Sequence, residues 1–195
     1  MYKNSKNEEE EIEEVDDELI ECINNNIYFY NEITTYSCFK LRIILKKLID
    51  KQLIYSIQNG CDIIPINLYI NSQGGDITAA LCIVDTIINS KVPINTIIEG
   101  EAASAATIIS VVGHKRFINP NAHMLIHQIR AGFWGKIDEC KDEMKNIKKY
   151  SKIIKKIYKE YTTLSDDKID NFLKKDIYWG SRLCLKYGLV DEIMS

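Results

Sequence analysis

Acyl transfer in water needs a nucleophile, a base that can take its proton, a group that orients the base, and donors for the oxyanion that forms. Ser104 stands where a nucleophile could work: it follows the apolar run Ile94–Ile98 and the small-residue turn Gly100-Glu101-Ala102-Ala103, and opens an apolar stretch expected to be helical over 104–112. A serine at a helix start more commonly serves as an N-cap that satisfies free backbone N–H groups. It can also attack, helped by the positive end of the helix and by the close backbone approach that Ala102, Ala103, Ala105 and Ala106 permit. Three histidines are available as bases, His114, His123 and His127. His123 and His127 flank the strand-like Met124-Leu125-Ile126, and alternation puts both on one face, so the pattern does not choose between them. Asp166, Asp167, Asp170 and Asp176 lie downstream as candidates to orient the base. The Gly74-Gly75 turn could bring backbone donors close to a substrate, or could be glycine for turn geometry alone.

These groups need elements to hold them. Ile27–Tyr30 reads as a first strand and Leu41, Ile44, Leu45, Leu48 and Ile49 as one face of a helix. A strand–turn–helix unit then recurs. Ile66–Asn71 is the strand, Gln73-Gly74-Gly75 the turn, and Asp76 the cap of a helix through Leu81, Val84, Ile87 and Ile88. Ile94–Ile98, the turn 100–103 and the helix from Ser104 repeat the pattern, followed by short strands at Phe117-Ile118 and Met124–His127. Strands alternating with helices imply an α/β fold with parallel strands, in which chemistry sits where strand ends meet helix starts. A long helix is expected over 136–161, with Ile137, Cys140, Met144, Ile147, Ser151, Ile154, Tyr158 and Tyr161 along one stripe. That stripe fits core packing and a projecting helix that meets a partner chain equally well. Tyr187–Asp191 reads as a turn and a last strand.

Composition narrows the class. The 195-residue chain, 46% hydrophobic and 27% charged with a net charge of −3, is that of one globular domain. Ten of its 28 acidic residues lie between Glu8 and Glu21, so residues 1–26 are expected to be a disordered acidic tail and 27–195 a single domain. From Cys22 onward 23 basic side chains face 18 acidic ones, too few and too scattered for a nucleic-acid surface. No signal-peptide pattern and no apolar run of membrane-spanning length is present, so a cytoplasmic protein is expected. The six cysteines form no CxxC pair and are expected to be reduced, buried thiols, Cys82 among them; no metal site is expected.

Several segments together resemble the ClpP serine peptidase family. Leu68-Tyr69-Ile70-Asn71-Ser72-Gln73-Gly74-Gly75 is similar to its YINSPGG segment. Gly100-Glu101-Ala102-Ala103-Ser104-Ala105-Ala106 is similar to its nucleophile segment GxAASMG, and Met124-Leu125-Ile126-His127-Gln128 to MIHQP. Asp176, ahead of Tyr187-Gly188-Leu189-Val190-Asp191, falls where the family places its third catalytic member, and the likeness runs from about Ile27 to Ile193. The chain departs from the pattern at Gln73 and Ile129, which replace prolines, at Ala105-Ala106 after the nucleophile, at Lys175 beside the aspartate, and in the acidic N-terminus.

The resemblance implies a ClpP/crotonase-like α/β fold of repeated strand–turn–helix units with a long projecting helix. It implies Ser104 as nucleophile, His127 as base, Asp176 as orienting carboxylate, and the backbone N–H groups of Gly75 and Ala105 as the oxyanion hole. Gly74, Ile129 and Arg130 would line the substrate, with Ile129–Phe133 as the edge on which an extended peptide docks. The implied assembly is a homo-oligomer of stacked rings, fed unfolded protein by an AAA+ unfoldase. The chain would bind no cofactor of its own, ATP being used by that partner; it carries no GxxxxGK[ST] loop. Rival readings are a non-catalytic ring subunit, a crotonase-like acyl-CoA enzyme and a membrane signal-peptide peptidase with a Ser–Lys pair.

Overall fold

The computed structural model describes residues 19–195. Its elements in chain order are β1 (Ile20–Ile23), β2 (Asn26–Phe29), α1 (Thr35–Asn59), β3 (Ile66–Ser72), α2 (Ile77–Ile88), β4 (Ile94–Ala103) and α3 (Ala105–Ser110). Then come β5 (Arg116–Ile118), β6 (His123–Leu125), α4 (Ile137–Tyr161), α5 (Asp166–Leu173), β7 (Tyr178–Gly180), α6 (Ser181–Lys186) and β8 (Glu192–Ile193). The α/β expectation holds. β2, β3, β4, β5 and β8 run parallel in that order, and β1 is an antiparallel edge strand on β2.

The folded body begins earlier than residue 27. Ile20–Ile23 pairs with Asn26–Phe29 through a tight turn in which Asn24 takes φ +57°, a conformation asparagine tolerates better than most residues. The charge run masked this hairpin, because Glu21, Cys22 and Ile23 of its edge strand are all exposed and leave no alternating apolar pattern. The remainder of the expected acidic tail, 1–18, lies outside the described residues.

Register across the sheet is marked by side-chain ladders. Asn67 Nδ2 donates to Asn26 Oδ1 and Asn95 Nδ2 to Asn67 Oδ1, each at 3.0 Å, along one row of paired positions. Two positions further, Tyr28 and Tyr69 stack with ring centres 4.8 Å apart. Slipping a strand by one residue would break both rows and turn Ile66, Leu68 and Ile70 out of the core.

The largest difference from expectation lies in β4. Its strand does not end at Ile98 but continues through 100–103, and it changes partners on the way. Thr96–Ile98 pairs with β5, whereas Glu101–Ala103 pairs with β6. On the other side its register against β3 shifts between Ile70 and Ser72. Asn71 fills the shift: its Oδ1 accepts from the Glu101 N–H at 3.0 Å, and a Cβ on Gly100 would lie 2.5 Å from that oxygen. Gly100 is therefore a close-approach glycine inside a bulged strand, not a turn glycine.

Helices cover the sheet. α1 starts at a capping box in which Thr34 and Ser37 bond each other's backbone, and it buries Leu41, Leu45 and Leu48 at helical spacing. α2 is capped by Asp76, as expected, and buries Ala79, Ala80, Ile83, Val84 and Ile87. α4 divides in two. Ile154, Ile157 and Tyr158 are buried, whereas Ile137 is 76% exposed and Met144 is exposed, so its apolar stripe is core at one end and uncovered at the other. The cysteines also depart from expectation. All six are free, but only Cys38 and Cys184 are buried; Cys22, Cys61 and Cys82 are exposed, Cys82 because it falls on the outer face of α2. Among the described residues no helix is long and apolar enough to cross a membrane.

Candidate active site

The C-terminal end of β4 delivers Ser104. The residue occupies the N-cap position of α3, yet its side chain makes no capping hydrogen bond. Its backbone sits at φ +54°, ψ −120°, which is strained for any residue with a Cβ. A serine that served only as a cap would adopt extended backbone and bond the helix N–H groups. The strain is carried by bonds on every side. The Ser104 N–H donates to Leu125 O at 2.8 Å, and the Thr107 N–H and hydroxyl both donate to Ser104 O, at 3.0 and 2.6 Å. The Thr107 hydroxyl in turn meets the hydroxyl of the fully buried Tyr158 of α4, whose own proton affinity burial raises.

Beneath the turn lies the Gly74-Gly75 segment, at φ +95° and +143°. A Cβ on Gly74 would stand 2.6 Å from Ala103 O and 2.8 Å from the Ser104 Cβ, and one on Gly75 would stand 2.1 Å from Ile33 O. Both glycines are required by close approach as well as by φ. The segment is laced to Ile33, whose N–H donates to Gly74 O and whose carbonyl accepts from the Asp76 N–H, each at 2.7 Å. The Gly75 N–H between them has no acceptor among the described residues. Ala105, as the first residue of α3, presents one of the helix's unpaired N–H groups. Gly75, Ser104, Ala105 and His127 line one cleft of about 620 Å³.

The base and its partner come together by strand register. β6 and β7 pair antiparallel, with Leu125 opposite Tyr178. Carrying that register two residues past the end of the ladder puts His127 opposite Asp176, and there Nδ1 of His127 lies 3.0 Å from Oδ1 of Asp176. His127 is 9% exposed in its side chain and Asp176 57%. The other Asp176 oxygen accepts from Nη2 of Arg130 at 2.6 Å. That bond, with the His127 contact behind it, holds the Asp176 carboxyl below the usual carboxylate range.

The structure separates the alternatives that the sequence left open. His123 begins β6 opposite Gly180, at the far end of the strand from His127, and His114 bonds through its N–H to Ile94 O, at the opposite end of β4 from Ser104. Asp166 pairs with Lys159 at 2.7 Å, Asp170 pairs with Lys155, and Asp167 lies in the first turn of α5. Ile129 and Arg130 line the cleft, where the segment 126–134 has no regular secondary structure. Gly74 does not line it; it packs under Ser104 and borders a second, more polar cleft with Glu32 and Glu101. Sequence reasoning missed the Arg130–Asp176 contact, since 46 residues and no motif separate the two, and it missed Thr107 and Tyr158 as supports of Ser104. Lys175, which departs from the family pattern beside Asp176, makes no ion pair among the described residues.

A histidine poised on a carboxylate, lining one cleft with a serine freed from capping and two available backbone N–H groups, is the set that acyl transfer to and from serine requires. The family model described as Clp protease matches residues 30–195. A curated relative, the ATP-dependent Clp protease proteolytic subunit of Deinococcus radiodurans, is 34% identical over 131 residues. The match covers 66% of this chain and 64% of that one, somewhat under two thirds of the relative's length.

Proposed function

The chain belongs to the Clp protease family, and on that premise we propose that it is a serine endopeptidase, the proteolytic subunit of a Clp-type protease. The observation that carries the reading is the 3.0 Å contact between His127 and Asp176 on the cleft that Ser104 lines. Ser104 attacks the peptide carbonyl and forms an acyl-enzyme. His127 takes the serine proton and passes it to the leaving amine, and Asp176 keeps the imidazole in the tautomer with its free nitrogen toward Ser104. The N–H groups of Gly75 and Ala105 stabilise the oxyanion. The chemistry draws on side chains and backbone donors, with no cofactor held by this chain. An extended peptide docks along Ile129–Phe133, and the apolar lining from Ile77, Ile108 and Phe133 favours an apolar side chain beside the scissile bond.

Assembly into a ring homo-oligomer that an AAA+ unfoldase feeds is part of the same proposal. The uncovered apolar stripe of α4 supports it, since Ile137 and Met144, with Trp134 just ahead of the helix, are exposed in the single chain. The test is cleavage of a short fluorogenic peptide by the size-fractionated wild type and by Ser104→Ala, with a serine-reactive phosphonate as a second probe. Turnover and labelling in a large assembly, both abolished in Ser104→Ala, support the reading. A large assembly that neither cleaves nor labels would replace it with a non-catalytic ring subunit.

A further inference from the structure

Arg130 stands where two clefts meet. One is the cleft of Ser104 and His127, and the other is lined by Tyr30, Glu32, Gln73 and Glu101; Gln73, Gly75 and Arg130 border both. Nη2 of Arg130 is 2.6 Å from Oδ2 of Asp176, while Oδ1 of the same carboxylate is 3.0 Å from His127. One carboxylate is thus shared between a fixed cation and the imidazole. We propose that Arg130 is a positioning residue for catalysis, which orients the Asp176 carboxylate toward His127 and ties that orientation to the peptide-docking segment. The proposal deepens the peptidase reading and rests on it.

The physical need is plain. Asp176 lies between α5 and β7 in a stretch without regular structure, and no backbone N–H among the described residues donates to its carboxylate. A carboxylate 57% exposed and held only by an imidazole edge can turn about its side-chain bonds into water. A second contact on the other oxygen removes that freedom, as a shell of supporting bonds does for any catalytic group. Arg130 is itself 71% exposed, so its hold comes from geometry as much as from charge, which solvent screens. Its chain position adds the link to substrate: it adjoins Ile129, within the segment on which the peptide docks. Asp176 bonds Arg130 and His127. Arg130 borders the cleft of Tyr30, Glu32 and Glu101, whose two carboxylates are rival acceptors, and shares the Ser104 cleft with Asp76, Glu143 and Tyr150.

The experiment uses the full chain as wild type, Arg130→Gln and Arg130→Lys, with steady-state peptide cleavage and ¹³C titration of the aspartate carboxyls. The expected result is a fall in kcat of about tenfold in Arg130→Gln with KM little changed, and substantial rescue in Arg130→Lys. The Asp176 carboxyl in Arg130→Gln should take up its proton at higher pH than in wild type, because the cation that lowers it is gone. A rise in KM at constant kcat would overturn the proposal and make Arg130 a substrate contact only. An unmoved Asp176 titration would overturn it as well. If the wild type neither cleaves nor labels at Ser104, the peptidase reading itself has failed. The carboxyl titration needs no turnover and still decides whether Arg130 holds Asp176.

Discussion

The two sides of the cleft are built by opposite means. On the Ser104 side the half-buried serine stands on buried supports: Ala102, Ala103, Ala105 and Ala106 are buried, Thr107 and Tyr158 brace the turn, and Gly74 lies directly beneath. On the His127 side the chain runs through 126–134 without regular structure, and the base makes one side-chain contact, to Asp176, whose exposed carboxylate is held in turn by Arg130. The difference follows from what each side must do. A strained backbone persists only where packing over-determines it. An orienting carboxylate needs only a register and a few polar contacts. Substitutions of the supports around Ser104 should therefore cost stability, and those on the second side should cost rate.

The largest effect should come from the second side. His127→Ala is expected to lower kcat/KM for a peptide by roughly 10⁴-fold or more, about 5.5 kcal/mol of transition-state stabilisation. Its thermal midpoint should stay close to that of the wild type. Unfolding of this variant would mean that the base is also a structural support, and the contrast would collapse. Gly75→Ala tests the first side. The new methyl would stand 2.1 Å from Ile33 O at a φ of +143°, so denaturant unfolding should show a loss of about 4 kcal/mol, with activity lost alongside. A variant that unfolds like the wild type would show that the floor of the Ser104 turn can yield.

Arg116→Met probes a third support, remote from the cleft. Arg116 joins β5, the end of α4 and the C-terminal strand: its guanidinium bonds Asp191, Tyr161 O and, at 2.8 Å, Gly188 O. Losing it leaves those carbonyls short of a partner, and a loss of about 2 kcal/mol is expected in denaturant unfolding at neutral pH. The pair holds the Asp191 carboxyl below its ordinary value. Stability from a carboxyl depressed on folding is complete above its unfolded pKa, about 3.9, and fades as pH falls through the folded value. The gap in stability between wild type and Arg116→Met should therefore narrow as pH falls below about 4, without closing, since the bonds to Tyr161 O and Gly188 O do not titrate. Parallel curves throughout the acid range would show that the ion pair contributes nothing.

The contrast between the two sides also explains what the sequence disclosed. Ser104 was legible as a candidate because a strand, a run of alanines and an apolar helix start are local features, although those features favoured a cap and the family resemblance supplied the nucleophile. The Gly74-Gly75 turn and the Asp76 cap were legible for the same reason. His127 and Asp176 are joined by the register of two three-residue strands about fifty residues apart. Alternation marked His123 and His127 alike, and nothing local distinguished Asp176 from three other aspartates; the family resemblance supplied both assignments. Gly100 was misread as a turn because the Asn71 side chain that needs its bare Cα arrives from another strand. The β1–β2 hairpin was hidden by acidic residues on an exposed edge. Contacts set by distant pairing, Arg130 with Asp176 among them, leave no periodic trace in one chain.

The smallest expected effect lies where the buried side opens to solvent. Asp76 follows Gly75 and caps α2, accepting from Thr78 N and Ala79 N at 2.7 and 2.8 Å and from the Thr78 hydroxyl at 2.6 Å. The hydroxyl bond and the Ala79 N–H lower its carboxyl below the ordinary range. Asp76→Ala should cost about 1 kcal/mol at pH 7, the usual worth of an N-cap. Asp76→Asn keeps an oxygen acceptor and should cost less. Wild-type stability relative to Asp76→Asn should fall as pH drops, since the depressed carboxyl contributes fully only above its unfolded pKa. The backbone bond from Asp76 N to Ile33 O remains in both variants, so the Gly75 N–H should keep its aim and kcat should change less than about twofold. A larger loss of kcat in Asp76→Ala would show that the cap, and not only the lacing to Ile33, sets the position of the oxyanion donor. The rigid side of the cleft would then extend one helix turn further toward solvent than burial alone indicates.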